Sequence, residues 1–240
     1  MHPITNKNLS GNLSSLENYN SRLQMENSIE TLRTRAEHGE PQAQYELALH
    51  YESGKIAKKD IKKAFYWFCN AADQGHTEAQ VRVGQWYHLG TATQTDYRKA
   101  FEYWTKASDK GDRIAIRSLA NYYREELYPL KDMDKAFQYY LKAAKLGDTS
   151  SKRAVAYFYD YGLSPVESKR EAFFWYSEAA EDGDPESQGN VAIMHHYGLG
   201  TKQNHANAVK YFQVASDHGD LKSKYWLGRY FKKGAIRKIL

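Results

Sequence analysis

The chain has 240 residues, 41% hydrophobic and 26% charged, with a formal net charge of +5 and one cysteine, Cys69. This is ample material for a folded body, but it contains neither an apolar run of about 18 residues to span a bilayer nor a basic-then-apolar leader. A lone thiol cannot form an intramolecular disulfide, and the combination points to the cytoplasm and away from membranes.

Residues 1–21 are rich in Asn and Ser and read as a flexible tail. Residues 22–38 are predicted to form an N-terminal capping helix. Within it, Ile29, Leu32 and Ala36 fall in register with Phe65, Phe68 and Ala72 of the following segment. From there the chain is periodic. Gly39, Gly75, Gly111, Gly147, Gly183 and Gly219 recur every thirty-six residues, which marks one supersecondary unit copied and stacked. The units lie near 40–75, 76–111, 112–147, 148–183 and 184–219, with a partial copy at 220–240, so that residues 39–240 make up a repeat domain.

Each unit reads as two helices. After the glycine comes Glu40, His76, Asp112, Asp148, Asp184 or Asp220, mostly short acids that accept from the free N–H groups of a helix start. Helix A of each unit begins there and is expected to close at Gly54, Gly90, Gly162, Gly198 and Gly234, where glycine takes the left-handed cap conformation. Helix B begins at Asp60, Asp96, Asp132, Ser168 and Asn204, all strong N-cap residues. Its inward stripe alternates alanine columns (Ala64, Ala100, Ala136, Ala172, Ala208) with rings (Phe65, Phe101, Phe137, Phe173). In helix A a small-residue column, Ala48, Gly84, Ala120, Ala156, Ala192 and Gly228, marks close helix approach.

Segments such as AQYELALHYESG, KAFYWFCNAADQG and EAFFWYSEAAEDG resemble Sel1-like repeats, relatives of tetratricopeptide repeats, over most of the chain from Ala36 onward. The resemblance implies an all-α, right-handed α-α solenoid of about five and a half hairpins. It also implies a protein-protein interaction module that binds a protein or peptide on a concave face, as an adaptor, a regulator or a bacterial toxin-neutralising (immunity) protein. Exported members of such families often carry paired cysteines in each repeat, which this chain lacks.

Two stretches depart from the pattern. In the third copy Glu126 stands in the place of the capping glycine, and the 124–132 loop contains Pro129. At the C-terminus, AIRKIL stands where a second helix is expected, which leaves an apolar end open to an intramolecular cap or a homodimer contact. That end is also basic. Residues 221–240 hold seven Lys and Arg and no acid, so the other 27 basic residues face 29 acids. The pI of 9.0 is therefore poor evidence for nucleic-acid binding over the whole surface, and binding of nucleic acid or an anionic ligand remains only as the alternative at this end.

By analogy with tetratricopeptide repeats, helix A lines the inner wall, and its positions 42, 45, 49 and 52 trace one face. Carried through the central copies, that face offers Gln85, His88, Arg117, Asn121, Arg124, Arg153, Tyr157 and Asp160 as partner-binding residues. The arginines are expected to meet an acidic or extended segment. No catalytic, cofactor or metal constellation is expected. His195 and His196 are adjacent and point about 100° apart on a helix, and Cys69 has no activating neighbour in sequence.

Overall fold

Thirteen-residue apolar patterns bounded by capping residues become, in the computed structural model, helices of twelve or thirteen residues joined by short turns. The structure describes residues 28–55, 58–125, 131–163 and 168–232. The expected tail, Gly234, the Glu126–Pro129 stretch and the AIRKIL end lie outside the described residues. Every element among the described residues is helical. After α1 (28–37) come α2 (Pro41–Ser53), α3 (Ile61–Asp73), α4 (Thr77–Leu89) and α5 (Tyr97–Asp109). These belong to a first compact unit, Met1–Lys110. The second, Gly111–Leu240, holds α6 (Arg113–Glu125), α7 (Met133–Lys145), α8 (Thr149–Asp160), α9 (Lys169–Glu181), α10 (Pro185–Tyr197), α11 (His205–Asp217) and α12 (Leu221–Lys232). Even-numbered helices are helix A of each hairpin and odd-numbered ones from α3 onward are helix B. Within each unit every helix packs on the next in sequence, so the architecture is an all-α solenoid of hairpins.

The cap residues do what their chemistry dictates. Asp60, Asp96, Asp132, Ser168 and Asn204 each accept the backbone N–H three residues on. Asp112, Asp148, Asp184 and Asp220 do the same for the A helices. Glu40 is too long for this geometry and makes no side-chain cap. It pairs instead with Arg35. The A helices α2, α4 and α10 end on left-handed Gly54, Gly90 and Gly198. Helix α8 ends one residue early, with Tyr161 as the cap and Gly162 just beyond it at φ 65°.

The core of the first unit joins Leu32 and Ala36 of α1 to Leu47, Ala48, Phe68, Ala72, Val83 and Trp86. In the second unit, Ala156, Ala172, Tyr176 and Val191 form one cluster and Ala192, Ala208, Phe212 and Leu227 another. Alanines in the inward columns are fully buried because the helices meet there too closely for a larger group. Buried Gln44, Gln80 and Gln188 each donate to the last carbonyls of the preceding helix, at Ala36, Ala72 and Ala180. These bonds satisfy acceptors that a helix end would otherwise strand.

Candidate functional site

The A helices of the second unit carry the site. Position 49 of the template is Asn121 on α6 and Tyr157 on α8. Position 45 is Arg117 on α6 and Arg153 on α8. Together with Arg124 these five line one groove of about 580 Å³, with Tyr140 and Tyr176 from the B helices and Tyr161 and Leu163 beyond the end of α8. Toward α12 the groove includes Glu186, Asn190 and Lys222, which also line a neighbouring hollow of about 310 Å³ beside Gly189 and Ile193.

The arginines are anchored rather than loose. Arg117 Nη1 donates to Asp148 at 2.8 Å. Arg153 Nη1 donates to Asp184 at 3.2 Å and to Glu186 at 2.7 Å. Both aspartates are the N-caps of the next A helix, so each guanidinium ties one repeat to the start of its successor. Arg124 pairs with Glu125 and lies over the Tyr140 ring, 5.7 Å from its centroid.

Beneath them Tyr140 is buried, and burial pushes its phenol up to about 12. It therefore stays a neutral donor, and its hydroxyl donates to Asn121 Oδ1. With the oxygen so fixed, the amide nitrogen of Asn121 makes no hydrogen bond among the described residues. Tyr157 stacks on Tyr161 at 4.3 Å between centroids, and the two rings remain 46% and 63% exposed.

The remaining residues of the sequence reading sit elsewhere. Asp160 accepts from Lys169 Nζ at 3.0 Å and does not line the groove. Gln85 and His88 belong to α4 of the first unit, where Gln85 is exposed and His88 packs against Tyr97 and Trp104. Conversely, the reading missed Met133, Tyr140 and Tyr176, which reach the groove from the second helices of their hairpins. The column of Tyr140 and Tyr176 is aromatic throughout and reads as core, while that of Met133 is mixed, with Lys169 and His205 in later copies. A ring with a hydroxyl at Tyr140 and Tyr176, where Phe68 and Phe212 stand in other copies, was the available signal.

His195 and His196 diverge on α10. The first lies between Phe173 and Tyr211; the second, with His205, bonds the Tyr230 hydroxyl. No group of three or more His, Cys, Asp or Glu among the described residues is placed to hold a metal ion. No helix among them is long and apolar enough to cross a membrane.

The Sel1 repeat family model matches five consecutive segments, residues 41–76, 77–112, 114–148, 150–184 and 185–220. The chain belongs to the Sel1 repeat family. Its fold is similar to a protective antigen of uropathogenic Escherichia coli displaying an SLR fold, at TM-score 0.83 and 27% identity over 86% of this chain and 44% of the antigen. It therefore spans less than half of that protein. It is also similar to a Sel1 repeat protein from Oxalobacter formigenes, at TM-score 0.80 and 25% identity, covering 92% of this chain and 90% of the other. No curated protein matches the chain. Sel1 repeats generally mediate protein-protein interaction and form a non-catalytic scaffold.

Proposed function

We propose that the chain acts by binding, not by catalysis, and that a segment of a partner protein docks in the groove of α6, α8 and α10. The observation that carries this reading is the Asn121 amide, held by buried Tyr140 with its N–H groups unspent, beside an exposed pair of stacked tyrosines. A locked polar donor next to rigid rings is the composition of a recognition surface, because little side-chain entropy is lost when the partner arrives. Neutralising a toxin and serving as an adaptor are both uses of such a surface, and neither needs a reacting group.

Reversing the charge of Arg117 and Arg153 would test this poorly, since it places a carboxylate against Asp148 and Asp184 and disturbs two helix caps. The test is a photo-crosslinking residue at position 157, compared with one at exposed Lys142 on α7, in the native cells. One stoichiometric partner captured from position 157 and absent from position 142 supports the groove. Capture from position 142 alone overturns it.

A further inference from the structure

Charge in the groove is already balanced. Arg117 holds Asp148, Arg153 holds Asp184 and Glu186, and Arg124 holds Glu125, all at 3.2 Å or less. An acidic segment approaching any of these guanidinium groups meets the carboxylate already bound there. Two of those carboxylates also cap α8 and α10, so drawing an arginine away weakens a helix start as well. Only Lys222, at the far end, makes no ion pair among the described residues. The uncovered part of the surface is apolar: Tyr157, Tyr161 and Leu163 are all more than a third exposed and line the same groove as Asn121.

We infer that the groove accepts an extended, electrically neutral segment of the partner, anchored by an aromatic or aliphatic side chain against Tyr157, Tyr161 and Leu163, with Asn121 donating to its main chain. This inference rests on the docking groove proposed above. It reverses the expectation of an acidic partner that three arginines on one face suggest. A stacked aromatic platform takes an apolar side chain by area burial and ring packing. A balanced field neither steers nor selects a charged one.

The test is selection from a phage-displayed random peptide library on the immobilised full chain, at low and at high salt. Enriched peptides are expected to share an aromatic or large aliphatic residue and to carry no excess of Asp and Glu. Their binding should change little with salt. Tyr157→Ala and Asn121→Ala should each weaken binding by roughly tenfold or more, as for anchor residues, with the helical circular dichroism unchanged. Acidic peptides that depend on Tyr157 and dissociate steeply with salt would overturn the neutral seat while leaving the groove in place. Absence of enrichment, or binding indifferent to both substitutions, would overturn the groove reading together with this inference.

Discussion

Arg117 Nη1 donates to Asp148 Oδ2 at 2.8 Å, while the other oxygen of that carboxylate receives the backbone N–H of Ser151, also at 2.8 Å. One buried side chain thus closes an ion pair and starts a helix. The two halves of the pair are therefore unequal. Asp148→Ala should cost about 1–3 kcal/mol, because it removes a cap and strands a guanidinium. Arg117→Ala, at a site about one-third exposed, should cost about 1 kcal/mol or less. Asp148→Asn keeps a capping oxygen and should fall between them. Urea midpoints of the three variants check the order, and equal losses for Asp148→Ala and Asp148→Asn would show that the cap contributes nothing.

Gly84 faces Trp104. A Cβ at position 84 would lie 2.6 Å from the indole Nε1 and 2.7 Å from Cδ1, and the buried ring cannot retreat without losing its bond to the Val81 carbonyl at 3.2 Å. The other copies pair alanine with smaller rings, Ala48 with Phe68, Ala120 with Tyr140, Ala156 with Tyr176 and Ala192 with Phe212. Gly84→Ala should therefore destabilise by about 1–3 kcal/mol from overpacking, although alanine favours a helix over glycine by about 1 kcal/mol. Adding Trp104→Tyr should recover most of the loss. A double-mutant cycle measures this coupling, and additive costs would refute the contact.

His195 occupies the column of Tyr51, Tyr87, Tyr123 and Tyr159. It is 9% exposed, and burial lowers its pKa below the ordinary 6.5. A lowered folded-state value means the unfolded chain binds the extra proton more readily, so this contribution to stability is present above about pH 6.5 and is lost as pH falls. The melting temperature of the wild type should drop through this window. His195→Tyr restores the ring of the column and should flatten the dependence. An identical pH profile in the variant would remove His195 as a source.

Cys69 is half-buried among α3 and its neighbours, and burial pushes its thiol up to about 12. Since the thiolate is the reactive form, iodoacetamide at mildly alkaline pH should modify the native chain roughly tenfold or more slowly than the unfolded chain. Equal rates would show an open, ordinary thiol.

The repeat architecture was legible because every copy spends the same residue types on the same tasks: short polar caps at the starts, glycine at the ends, alanine where helices meet. The groove was legible only in part. Arg117, Asn121 and Tyr157 declare their helix face by spacing alone. Their partners do not, since Asp148 lies 31 residues from Arg117 and looks, in sequence, like a cap and nothing more. Tyr140 was hidden for the opposite reason: its column reads as core, and only its hydroxyl reaches Asn121. Sequence thus shows a cationic face, and only the fold shows which carboxylates hold it.

That cross-repeat pairing recurs at one offset, Arg117 with Asp148 and Arg153 with Asp184. Excising residues 118–153, one repeat length, would leave Arg117 facing the carboxylate that Arg153 now holds. Duplicating the same block would create a third such clasp. A gene encoding this array can lengthen or shorten by whole repeats with the arginine–aspartate clasp remade at the new joint, so the number of hairpins is open to change while this contact stays intact.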